Sequence, residues 1–94
     1  MAYLLVRHKV KDFESWKKVF EEHGRTRESL GCKGGRLMRN AEVPNEVVVL
    51  LEWDFHENAR KFVDSEDLKS TMQRAGVVDR PDIYYLDVEE EVIR

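Results

Sequence analysis

The chain has 94 residues, 41% hydrophobic and 37% charged, with a net charge of −3 and a pI near 5.6. So much apolar material builds a core and excludes a disordered chain, and the acidic balance gives no electrostatic case for a nucleic-acid or membrane partner. The single cysteine, Cys32, excludes an internal disulfide and a cysteine-based zinc site, and the longest apolar run, Val47 to Leu51, is far too short to span a bilayer.

Tyr3 to Val10 is a predicted strand, β-rich and apolar at its start. Asp12 caps a helix on which Phe13, Trp16, Val19, Phe20, His23, Arg27 and Leu30 follow at helical spacing, and Gly31 stops it. Cys32 to Asn40 is a second strand, where Gly34-Gly35 suggests a bulge or a close backbone approach. Pro44-Asn45 turns the chain into Glu46 to Trp53, the strongest strand in the sequence. Asp54 and Glu57 have capping-box-like spacing before a short helix marked by Phe55, Ala59 and Phe62. Ser65 caps a further helical segment, with Glu66 and Asp67 in its first turn, Leu68, Met72 and Ala75 as its apolar stripe, and Gly76 at its end. Pro81 leads to a last strand, Asp82 to Glu89.

The order is βαββαβ with the second helix broken in two, which is the ferredoxin-like α+β plan on a four-stranded antiparallel sheet, one domain over residues 1–94. Its first and third strands are central. Val47 to Leu51 does not alternate apolar and polar, so both faces of the third strand are expected to be buried. The helices cover one face, and nothing else in the chain covers the other. A homodimer packed sheet to sheet is therefore expected; a domain of this size hides only roughly two-thirds of its unfolded surface alone. Residues 1–6 lack the basic start and apolar stretch of a signal peptide, so the expectation is a cytoplasmic protein.

This plan, the NEVVVLLEW strand at Asn45 to Trp53 and the SEDLKSTMQRAGV segment at Ser65 to Val77 resemble the antibiotic-biosynthesis-monooxygenase-like branch of the dimeric α/β-barrel superfamily. The resemblance covers nearly the whole chain. It implies a dimeric α/β barrel with a ligand pocket inside each subunit, between sheet and helices. The superfamily includes cofactor-free quinone-forming monooxygenases, polyketide cyclases, haem-degrading enzymes and lactone isomerases, and fold does not choose among them. Haem-degrading members use a pocket asparagine on the first strand, a tryptophan ending the third, and an iron-binding histidine in the second-helix region. Trp53 matches the tryptophan, but the asparagine falls at Val6 and the histidine at Met72. Without that iron ligand haem chemistry is not expected, and no cofactor is implied.

Several residues are candidates for chemistry. His8 shares a strand face with Leu4, Val6 and Val10, either as a pocket base titrating near neutrality or as a strand-end histidine touching solvent. His23 extends the first helix's stripe and faces His8 across the sheet–helix gap; the alternative is an interior histidine bonded to Glu22 or Glu52. Two histidines without a third ligand make a poor zinc site, so no metal is expected. Trp53 is either a wall for a flat aromatic ligand, sharing one cavity with His8, or a core anchor. Phe62 and Met72 suit a malleable apolar lining, or plain helix packing. Tyr84 and Tyr85 point to opposite faces, and Tyr84 is assigned to the pocket. Arg25, Arg27, Lys33, Arg36 and Arg39 either attract an anionic ligand or form solvated surface pairing with Glu89 to Glu91.

The expected function is a cofactor-independent monooxygenase acting on a small phenolic or polycyclic aromatic compound. The alternatives are a non-catalytic small-ligand-binding or stress-associated dimer, and a related cyclase or isomerase. An RNA-recognition domain of the same topology does not fit, because the third strand has no basic residue and only a terminal aromatic.

Overall fold

Alternating burial along two neighbouring strands divides the molecule into a covered face and a bare one. The computed structural model describes residues 1–94. The chain runs β1 (Ala2–Lys9), α1 (Phe13–Glu22), α2 (Gly24–Leu30), β2 (Cys32–Arg39), β3 (Glu46–Trp53), α3 (His56–Asp64), α4 (Glu66–Ala75) and β4 (Asp82–Asp87). The strand order is β2-β3-β1-β4 with every pair antiparallel. This is the expected ferredoxin-like plan, with β1 and β3 central.

Ala2, Leu4, Val6 and His8 of β1 are buried on the same face as Val47, Val49, Leu51 and Trp53 of β3. The helices lie over that face. The other face carries Tyr3, Leu5, Arg7, Val48, Leu50, Met38, Tyr84 and Leu86. Within one chain Val48 and Leu50 are half-buried, so the third strand is buried on one face only. The sheet is open, and residues 88–94 beyond β4 have no regular structure.

The local signals behave as expected at several ends. The Asp12 carboxylate accepts from the Ser15 N–H at 2.9 Å and caps α1. The Ser65 hydroxyl accepts from the Leu68 N–H at 3.1 Å and caps α4. Gly31 and Gly76 end α2 and α4 at φ 118° and 82°, the left-handed region where glycine lacks a penalty.

β1 starts and ends one residue before the expected Tyr3 and Val10, and β2 ends at Arg39 instead of Asn40; three further boundaries differ. The single helix expected from Phe13 to Leu30 breaks at His23, where Gly24 lowers helix propensity and the His23 ring is tied to Asp67 of α4. The capping box at Asp54 and Glu57 does not form: Phe55 is the cap residue of α3, Asp54 accepts from the Phe55 N–H at 2.7 Å, and Glu57 pairs with Lys61. The last strand stops at Asp87, short of Glu89.

An aromatic column runs along α1. Phe13 stacks on Trp16 (centroids 6.0 Å apart) and Trp16 on Phe20 (4.9 Å). A guanidinium covers each end, Arg39 over Phe13 at 3.9 Å and Arg27 over Phe20 at 3.8 Å. Each aromatic pair adds about 0.5–1.5 kcal/mol beyond its burial.

The expected irregularity in β2 is present as a register shift between Cys32 and Gly34. A Cβ on Gly35 would run into the carbonyl oxygen of Leu50 and the Cα of Leu51. Gly35→Ala should therefore destabilise the fold by about 1–3 kcal/mol, the usual cost of overpacking. Urea unfolding checks this; an unchanged midpoint would mean that β2 moves freely off β3.

Candidate functional site

The cavity between sheet and helices encloses about 60 Å³. Ten of its fourteen wall residues are apolar, and His8, His23, Arg27 and Thr71 are the others. β1 supplies Val6 and His8, and β3 supplies Val49 and Leu51. Trp16 and Phe20 come from α1, and Phe62, Leu68 and Met72 close it from α3 and α4.

His8 is 3% exposed, and neither ring nitrogen has a hydrogen-bond partner. Its ring meets Trp16 edge-on, centroids 5.6 Å apart. Burial lowers its pKa to about 4, with Arg7 assisting and Asp79 opposing. His8 is thus a neutral imidazole at pH 7, offering one donor and one acceptor to whatever enters the cavity.

His23 reaches the same cavity from the α1–α2 junction. Its partner is Asp67 at 2.6 Å, not Glu22 or Glu52. A carboxylate only accepts, so His23 Nε2 carries a hydrogen and the ring is held in place. Thr71 Oγ1 donates to the Asp67 carbonyl at 2.7 Å. Asp67, which the sequence offered only as a first-turn acid of α4, therefore orients a cavity histidine.

The structure brings His8, His23, Phe62 and Met72 together around one space. Trp53 and Tyr84 are not part of its wall. Trp53 is 2% exposed and lies behind Phe62, centroids 5.2 Å apart, with its indole N–H unpartnered. The reason is register: Trp53 pairs with Ala2 while His8 pairs with Val47, so the two share a face but stand at opposite ends of it. Tyr84 pairs with Leu5 on the bare face and is 55% exposed. Tyr85 points the other way and packs against His56 and Arg60. The third histidine, His56, bonds Asp87 at 2.8 Å and lies outside the cavity.

Two cavity residues take places that the sequence reading did not give them. Trp16 read as helix packing, yet it stands between His8 and Phe20 in the cavity wall. Arg27 read as one charge in a basic run, either drawing an anionic ligand or solvated, and it is buried beside Phe20. Its signal was its place on the stripe, four residues after His23. No group of three His, Cys, Asp or Glu side chains is arranged to hold a metal ion, and no helix is long and apolar enough to cross a membrane.

No family model matches the chain, and no curated protein matches it by sequence. Solved structures do. SnoaB, a cofactor-independent oxygenase from Streptomyces nogalater, superposes with a TM-score of 0.79 at 13% identity, covering 99% of this chain and 97% of that one. An antibiotic biosynthesis monooxygenase superposes at 0.72 with 15% identity, over 96% and 100%. A conserved protein from Methanosarcina mazei Go1 superposes at 0.69 with 15% identity, over 90% and 89%. The chain thus has the fold of the antibiotic biosynthesis monooxygenase-like structures, as the sequence resemblance implied.

The depressed His8 pKa has a consequence for stability. The unfolded chain protonates His8 near its ordinary value of 6.5, the folded chain only near 4. The unfolded state therefore binds more protons between those values, and stability falls as pH drops through that window. Wild type should lose about 3 kcal/mol more than His8→Leu on going from pH 7 to pH 4. Urea titrations at both pH values measure the difference; equal losses would show that His8 charges in the fold without penalty.

Proposed function

We propose that the protein is a monooxygenase-like enzyme acting without a cofactor on a small phenolic compound, held between the sheet and the helices. The observation that carries this reading is His8, a neutral imidazole with both nitrogens unpartnered in an apolar wall. Shared architecture with SnoaB, a cofactor-independent oxygenase, supports it.

A phenolic hydroxyl donates to the unprotonated nitrogen of His8. Burial in the apolar wall holds that imidazole at a pKa of about 4, which makes it a weak base. A phenolate beside it raises the imidazole's pKa, while the imidazolium lowers the phenol's, and the dry wall strengthens both effects. The phenolate passes one electron to dioxygen, and the resulting radical and superoxide join at a ring carbon. The hydroperoxide, protonated from His8, then loses water to leave a quinone. One oxygen atom stays on the ring, the other leaves as water, and the substrate supplies all the electrons.

The small volume favours a single ring over a polycyclic one. A cavity of about 150 Å³ accepts benzene, so even one ring must displace a side chain. Met72, half-buried and flexible, is suited to move. Oxygen uptake and quinone absorbance test the reading: His8→Ala should cut turnover by about a hundredfold, much more than it weakens phenol affinity.

The same low pKa favours a second reading, in which the cavity binds its ligand without converting it. Saturable phenol binding to wild type with no oxygen uptake would select that reading.

Two copies are proposed to pair their bare sheet faces and complete a dimeric barrel. Leu5, Val48, Leu50 and Leu86 supply the apolar surface, with Met38, 42% exposed, at its margin. The lone buried Cys32 fits a reducing compartment such as the cytoplasm. Light scattering should give about twice the 11.1 kDa of one chain, and Leu50→Asp should return it to a monomer, because burying an unpaired carboxylate costs several kcal/mol. A monomeric wild type would refute the pairing.

A further inference from the structure

Arg27 is a buried cation that no acid answers. The residue is 8% exposed, and its guanidinium lies 3.8 Å over the Phe20 ring. Burial disfavours its charged form, and no carboxylate counters that. Arg7 shows the contrast: it is more exposed and has three acids, Glu46, Asp79 and Asp82, within 4 Å. A buried charge without a partner lowers stability unless something in the protein's working state answers it.

The position of Arg27 says where that answer comes from. The inner cavity shares Phe20, Arg27 and Leu51 with a groove of about 480 Å³ between α2 and β2. Lys33 and Arg36 also line the groove, and Glu28 is its one acid. Lys33 of the basic run thus lies on one side of Arg27, with Arg36 on the bare face at the same edge of the sheet, while the aromatic cavity with His8 lies on the other. Positive walls around a recess concentrate anions there. The face of the guanidinium is taken by Phe20, which leaves its N–H edges for a planar, bidentate acceptor.

We propose that Arg27 binds the carboxylate of an aryl carboxylate, which enters through the α2–β2 groove and extends its hydroxylated ring past Phe20 toward His8. This rests on the reading of the cavity as a site for a phenolic ring, and it adds the substrate class, a single-ring hydroxyaryl carboxylate. Arg27 anchors and orients the ligand; the proton chemistry stays with His8.

Fluorescence titration tests the proposal, with Trp16 in the cavity wall as reporter. The probes are 4-hydroxybenzoate and 3-(4-hydroxyphenyl)propanoate, each against its uncharged amide. In wild type at least one acid should bind about tenfold or more tightly than its amide, as a charge-assisted pair does. Added salt should reduce that advantage. Arg27→Gln should abolish it, bringing acid and amide to equal affinity, and Arg27→Lys should keep part of it, since a point charge replaces the fork. If Arg27→Gln does not fold, a full acid advantage in Arg27→Lys counts against the bidentate anchor, and a reduced one supports it. Acids and amides that bind wild type equally, or an acid advantage that survives Arg27→Gln, would overturn the anchor and leave the phenol site standing. If neither acids nor amides bind, the anchor and the phenol site both fall.

Discussion

The pairing of β1 with β3 is the constraint on which the rest of the molecule depends. Leu4 lies opposite Leu51, Val6 opposite Val49 and His8 opposite Val47. A slip of β1 by one residue would turn Tyr3, Leu5 and Arg7 toward the helices and Leu4, Val6 and His8 away from them. Leu4 and Val6 each contribute about 1.5–3 kcal/mol by being buried, so the register is strongly specified. The same register puts His8 into the cavity and leaves Trp53 six residues away along the face, behind Phe62.

The cavity holds three basic side chains among apolar ones, and each is accommodated by different physics. His8 stays neutral, because burial penalises its charged form more than Asp79 favours it. His23 gives its Nε2 hydrogen to Asp67 and in doing so ties the α1–α2 junction to α4. Arg27 keeps its charge and lies on the face of Phe20, at one end of the aromatic column. Burial still lowers the Arg27 pKa, but a guanidinium begins so high that it remains protonated. A neutral acceptor and a cation thus face the same space.

The bare face of the sheet follows another logic. Arg7 sits on it among carboxylates, with its Nε 2.8 Å from Asp82 and a second nitrogen 3.0 Å from Asp79. Its charge is satisfied locally, beside the apolar side chains of the same face. Tyr84 belongs to this surface. An aromatic residue on a strand serves whichever face its register dictates, whatever its chemistry suggests.

Much of the architecture was legible in the order of residues. Alternation in β1, the apolar run of β3, the caps Asp12 and Ser65 and the glycines at 31, 35 and 76 are local signals. Local steric and hydrogen-bonding rules turn such signals into strands, helix ends and a bulge. They also placed His8, His23, Phe62 and Met72 on inward faces, since helical and strand periods determine facing. Facing is not proximity. That Trp53 stops short of the cavity, that Tyr84 leaves it, that Asp67 holds His23 and that Arg27 is buried without an acid all depend on pairing register and on how α1, α2 and α4 meet. Those are contacts between residues far apart in the chain, and only the packed structure decides them, because many distant partners satisfy the same local pattern equally well.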